Sequence, residues 1–155
     1  MKFVKGNILD AEYGVIVNPV SCTSSEWTEI GKDIRLKYPL AFSEYQNIET
    51  RVPNRANRLG LCQLVEVVDR NLFVANMFIA WGKLAMDKQI EGSKIKPSVE
   101  VNSVAASASG LKNWLRSIDI KDFPVYFPGN DIFSDSKIKA VIKYHLPDAI
   151  MVRQV

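Results

Sequence analysis

Cysteine and histidine are scarce in this 155-residue chain, which has two of the first and one of the second. Cys22 and Cys62 stand far apart with no CxxC spacing, which argues against both a disulfide scaffold and a zinc site. The histidine, His145, falls late in the sequence, and no Ser/His/Asp set, P-loop, glycosidase-like carboxylate pair or metal-ligand spacing is present. No apolar run approaches the roughly 20 residues of a membrane helix. The opening Met1-Lys2-Phe3-Val4-Lys5-Gly6 is too short and polar for a signal peptide. A reduced, cytoplasmic protein without a membrane partner is therefore expected. Twenty Lys and Arg against 17 Asp and Glu leave a formal net charge of +3, too small to call for nucleic acid. Repeats and low-complexity segments are also missing. The length fits one domain, 1–155, with an ordinary apolar content of 47%.

The most informative stretch is Gly14-Val15-Ile16-Val17-Asn18-Pro19-Val20-Ser21-Cys22. Its continuous β-branched run suits a central strand covered on both faces. Small polar residues follow, and Thr23-Ser24-Ser25-Glu26 has the pattern of a capping box that opens a helix. A buried strand that delivers a polar loop to a helix start is a common ligand site in α/β proteins.

Around it the chain reads in order. Met1 to Lys5 is a first strand. Ile30, Ile34 and Tyr38 mark a helix that ends near Lys37, before Pro39. Leu40 to Ile48 adds a turn or two of helix, and 51–58 is an arginine-bearing, solvated loop. Leu61 to Val68 and Leu72 to Phe78 form a hairpin through Asp69-Arg70-Asn71. Ile79 to Pro97 is loop-like. Ser98 to Ile118 is the clearest amphipathic helix, with Val101, Val104, Ala105, Ala108, Leu111, Leu115 and Ile118 on one face. Pro124 to Phe127 is a strand, a helix capped by Ser134 or Asp135 runs through Lys143, and Ala149 to Val152 is a last strand. The order β-β-α-α-β-β-α-β-α-β predicts a three-layer α/β/α sandwich on a mixed, mostly parallel sheet of about six strands.

Several segments, taken in this order, resemble a macro domain, the ADP-ribose-binding α/β/α module. They are Gly6-Asn7-Ile8-Leu9, Val15 to Ser21, Tyr38-Pro39-Leu40-Ala41 with Tyr45, Leu59-Gly60-Leu61-Cys62, Val74 to Phe78, and Tyr126-Phe127-Pro128 with Asp131-Ile132-Phe133-Ser134. The resemblance covers nearly the whole chain. It is nearest to the branch of ADP-ribose phosphate phosphatases and ADP-ribosyl-glutamate hydrolases. It implies a cleft between the loops at 21–31 and 128–134, with ADP-ribose, a similar nucleotide or an ADP-ribosylated protein as partner and no cofactor. Asn7, Ile8, Asn18, Ser21, Ile30, Gly129, Asn130, Ile132 and Phe133 are the ligand-binding residues it points to. Lys83 and Asp131 lie in regions comparable to the hydrolase branch's catalytic pair, the lysine attacking the ribose carbon and the aspartate handling the proton.

The departures from the family are specific. Asn7 replaces an aspartate that accepts from the adenine amino group. Trp27-Thr28-Glu29 replaces a glycine-rich phosphate loop, and Asp131 and Ser134 replace the glycines of the second. The histidine of the phosphatase branch has no counterpart near Asn18. Some residues keep two readings at this level. Asn18 orients a ribose or a water, or else bonds the strand-end backbone. Ser21 is a hydroxyl contact or a turn residue. Trp27, Trp81 and Phe133 wall the cleft or pack beneath it. Cys22 lacks an adjacent base and reads as buried. The function that follows is ADP-ribose or nucleotide binding, with weak de-ADP-ribosylating hydrolysis as an extension. The alternative is a diverged macro fold that serves protein interaction.

Overall fold

The computed structural model describes residues 1–82, 84, 98–118, 122–129 and 131–155, with Ser98 and Asp131 described through their backbone alone. Strands β1 (Lys2–Gly6), β2 (Gly14–Ser21), β3 (Cys62–Val68), β4 (Leu72–Trp81), β5 (Ser98–Val99), β6 (Val125–Pro128) and β7 (Ile150–Gln154) form one sheet. Its order is β1-β7-β6-β2-β4-β3, and β5 pairs the end of β4. The pairings β1–β7, β7–β6, β6–β2 and β2–β4 are parallel, while β3–β4 and β4–β5 are antiparallel. The α-helices among the described residues are α1 (Glu29–Lys37), α2 (Pro39–Arg51), α3 (Val101–Ser117) and α4 (Ser136–His145). The mixed, mostly parallel α/β/α sandwich read from the sequence is the observed architecture.

All eight residues of β2 are buried, as a strand covered on both faces must be. Val15 and Val17 join Val104, Ala108, Leu111, Ile138 and Ile142 on the α3/α4 face. Ile16 joins Ile34 and Ala41 on the opposite side, and Val20 packs there with Tyr45, Ile48 and Phe78. Side chains of a strand alternate between faces, so Asn18 shares the α1/α2 face. Gly14 starts the strand at φ +118, and a Cβ there would stand 2.3 Å from the Pro124 carbonyl oxygen. The Asp69-Arg70-Asn71 turn carries a left-handed residue, Arg70 at φ 59.

Several boundaries differ from those expected. The helix after β2 is capped by Thr28, whose Oγ1 accepts from Gly31 N–H at 3.1 Å, and the expected box at 23–26 is not formed. Thr23 Oγ1 instead accepts from Gly82 N–H at 2.8 Å, just beyond β4, and the Ser21 and Ser24 hydroxyls bond locally. Ser21 Oγ accepts from the amides of Thr23 and Ser24, and Ser24 Oγ accepts from Glu26 N–H. Local side-chain bonds of this kind compete with helix formation. β4 extends through Ile79, Ala80 and Trp81, into part of the expected loop, because Ile79 and Ala80 are fully buried. Ser98–Val99 leaves the expected helix to pair with Trp81 and Ala80. Arg58 is not solvated, as detailed below. Among the described residues, no helix is long and apolar enough to cross a membrane.

Candidate functional site

β1, β2, β6 and β7 run parallel and end at Gly6, Ser21, Pro128 and Gln154. Their carboxyl ends open onto a cleft of about 240 Å³. Pro19, Pro128 and Gln154 line its floor, the first turn of α1 gives Thr28, Glu29, Ile30 and Asp33, and the 3-10 turn Asp131–Ser134 gives Ile132 and Phe133. Such a crevice is where open α/β sheets bind ligands. Thr28 satisfies the Gly31 amide, which leaves Glu29 and Ile30 as first-turn donors without an intrahelical acceptor. The helix end thus favours an anion, while the carboxylates of Glu29 and Asp33 oppose one, each by about 1 kcal/mol at a partly solvated distance. The described lining residues include no histidine, cysteine or lysine.

The polar loop between β2 and α1 is tied down from below. Tyr45 of α2 places its hydroxyl 2.9 Å from the carbonyl oxygens of both Ser21 and Ser24 and shares its proton between them. Burial pushes that phenol up to about 12. Arg58 is 5% exposed and donates to the carbonyls of Val52, Cys22 and Pro53, fastening the 52–58 segment to the end of β2. Trp27 is 1% exposed and meets Phe42 and Tyr45 edge-on, each with ring centroids 5.3 Å apart. Trp27 is therefore turned inward, and the loop is anchored by core packing. Gly31 keeps this arrangement tight, because a Cβ there would lie 2.9 Å from Trp27 Cβ and 3.0 Å from Asn18 Oδ1. Burial raises the Cys22 thiol to about 11, with Arg58 pulling the other way, so the group stays protonated at neutral pH.

Asn18 lies beneath α1, fully buried and outside the cleft lining. It belongs to a row of amides across three strands. Asn18 Nδ2 donates to Asn76 Oδ1 at 3.0 Å. Asn76 Nδ2 donates to Gln63 Oε1 and to the Ala41 carbonyl, both at 3.0 Å, and Gln63 Nε2 donates to the Glu44 carbonyl at 2.7 Å. The row binds the sheet to α2, and Asn18 Oδ1 ends it without a partner. Ser21 is likewise fully buried and occupied as a turn residue.

Asn7 and Ile8 stand at the far end of the crevice but do not line it. Gln154 intervenes. Its Oε1 accepts from Ile8 N–H at 2.6 Å, and its Nε2 donates to Asn7 Oδ1 at 3.1 Å. Asn7 Oδ1 also accepts from Leu9 N–H at 3.0 Å, capping the 3-10 turn Ile8–Asp10.

Of the residues singled out in the sequence, Ile30, Ile132 and Phe133 thus come together in the cleft. Phe133 is 1% exposed and stacks edge-on with Phe127, so it forms the cleft wall from within the core. Gly129 faces away, lining a separate groove with Val4, Lys5 and Arg153, and donates its N–H to the Val152 carbonyl at 2.7 Å. Lys83 and Asn130 lie outside the described residues, as does the Asp131 side chain. Pro19, Thr28, Glu29, Asp33, Pro128, Gln154 and Val155 line the cleft but were not among the ligand-binding residues expected from the sequence. Thr28 as an N-cap before Ile30 was the readable signal among them. Gln154 had none, since its position depends on β7 pairing with β1.

No protein-family model and no curated protein matches the sequence. Solved structures do match its fold. A protein of unknown function from Bacteroides thetaiotaomicron superimposes with a TM-score of 0.75 at 18% identity, covering 99% of this chain and 97% of that one. A macrodomain protein from Streptomyces coelicolor gives 0.73 at 13%, with the same coverages of 99% and 97%. The macrodomain of Mycobacterium tuberculosis DarG gives 0.62 at 16%, with 98% and 97% covered. The chain has the macrodomain fold.

Proposed function

We propose that this macrodomain-fold protein binds ADP-ribose or a related nucleotide in the cleft between α1 and the Asp131–Ser134 turn. The observation that carries the reading is the position of that cleft, at the carboxyl ends of parallel strands and against the first turn of a capped helix. Ile30, Ile132 and Phe133 contact the ligand, first-turn amides of α1 meet a phosphate, and Asn18 and Ser21 hold the floor from behind. An ADP-ribosylated protein would present the same group. Lys83 and Asp131 would be the pair to carry a slow hydrolysis of such a link: the amine bonds to the ribose carbon as the bond to the protein side chain breaks, the carboxylate passes the amine's proton to the departing group, and water then releases the ribose and restores the amine.

A second reading has its own support. The acidic Glu29 and Asp33 and the small cleft, below the roughly 300–1,000 Å³ of common ligand sites, fit a macro fold repurposed for protein interaction. Calorimetric titration with ADP-ribose separates the two. Binding is expected, and Asp131→Gly should tighten it by about fivefold through removal of one opposing charge. Absence of both heat and thermal shift at millimolar ligand favours the interaction module.

A further inference from the structure

We infer that the pocket behind the 21–25 loop is a second anion site, shaped for one phosphoryl group, free or as a monoester, and separate from the cleft. The inference does not depend on the nucleotide reading, because the pocket shares no lining residue with the cleft.

The pocket lies between the end of β2, helix α2 and the 52–58 segment, with a volume of about 170 Å³. That is the space of roughly five waters at about 30 Å³ each, which suits one phosphorus with its oxygens and is too small for a dinucleotide. Its charge centres on Arg58, which is only 5% exposed. Every acceptor of Arg58 is a neutral carbonyl: Val52 at 2.8 Å, Cys22 at 3.3 Å and Pro53 at 3.5 Å. Among the described residues it forms no ion pair. Carbonyls take three of the five guanidinium N–H groups and leave two. An arginine does not shed its proton, so the fold holds a full positive charge almost out of water with only dipoles to meet it. Buried charge is normally met by an opposite charge. Fastening the 52–58 segment accounts for the carbonyl bonds, and it leaves the missing counter-charge unexplained.

The other lining residues supply what an oxyanion needs. Arg55 lines the same pocket from an exposed position. Among the described residues its guanidinium, the Ser25 hydroxyl and the Gln46 amide, all lining the pocket, make no hydrogen bond and remain available as donors. Guanidinium forks match the oxygens of a phosphoryl group two at a time. Burial keeps the Tyr45 phenol and the Cys22 thiol protonated, so neither cancels the positive charge. Glu49 is the acid among the described lining residues, and it pairs with neither arginine. Two guanidinium groups against one carboxylate leave the pocket positive, with Glu49 limiting its affinity.

Titration of the full chain with inorganic phosphate and with O-phosphoserine, at fixed ionic strength and with sodium chloride as control, tests this. The signal followed is the Arg58 Nε–H resonance, which is held on the Val52 carbonyl and reports on this pocket. A saturable shift with phosphate and none with chloride is expected. Arg55→Ala, at an exposed position, should weaken phosphate binding about tenfold, and Glu49→Gln should tighten it about threefold. Binding of O-phosphoserine as well establishes the site for a monoester, and binding of inorganic phosphate alone confines it to the free ion. An unmoved Arg58 resonance, an equal response to chloride, or an unchanged phosphate affinity in Arg55→Ala overturns the inference. ADP-ribose titrated into Arg55→Ala checks the separation of the two sites. Its affinity should match that of the unaltered protein, and a loss would place Arg55 with the cleft and overturn the second site.

Discussion

Cys22 couples the end of β2 to the pH of the solution. Its thiol is buried and shifted from 9.0 to about 11, and burial also raises Cys62 from 9.0 to about 12. A group whose folded value lies above its unfolded value stabilises the fold fully below the unfolded value. That contribution disappears as pH rises through the folded one. Stability should therefore decline from about pH 9 toward 11, with Cys22 supplying up to about 3 kcal/mol of the loss. Urea unfolding at pH 8 and pH 10.5 checks this, and Cys22→Ala should reduce the decline without abolishing it, because burial still raises Cys62 and Tyr45. The burial of Cys22 was readable in the sequence from the absence of a neighbouring base. The burial of Arg58 was not. An arginine in a polar loop reads as solvated, and only the folded path of 52–58 brings three carbonyls to its guanidinium.

The helix α2 governs the loop that borders the cleft, although it contributes no lining residue. Its Tyr45 spans two turns of the 21–24 segment, so Tyr45→Phe leaves two carbonyls without their donor and should cost about 1–3 kcal/mol. Faster hydrogen exchange at the Thr23 and Ser24 amides, with α3 unaffected, would distinguish a loosened loop from general destabilisation. The elements themselves were largely legible. Hydrophobic period and Pro39 marked α1 and α2, and the hairpin turn marked β3 and β4. The start of α1 was misread because Thr23-Ser24-Ser25-Glu26 satisfies a helix-start pattern in sequence while the Thr23 and Ser24 hydroxyls accept from the Gly82 and Glu26 amides in space.

At the scale of the whole molecule, β7 lies inside the sheet, between β1 and β6. Met151 and Val152 are buried, and among the described residues β1 meets the rest of the sheet only through β7. Removal of residues 150–155 should therefore abolish cooperative unfolding, as monitored by near-ultraviolet circular dichroism. A retained sharp transition would show that β1 and β7 are dispensable to the core. This architecture was legible because the alternation of strands and helices is encoded locally. The cleft was legible only in part, since Ile30, Ile132 and Phe133 flank local turns while Gln154 reaches its place by a pairing of distant strands. The amide row through Asn18, Asn76 and Gln63 carries a last consequence. A strand shifted by one residue would turn its amide toward the apolar α3/α4 side and abandon the others. β2, β4 and β3 are apolar enough to slide against one another with little loss of greasy contact, so the three amides act as a key that fits one alignment. The unpartnered oxygen of Asn18 is then the cost of a key cut for three strands where a fourth would have been needed to close it.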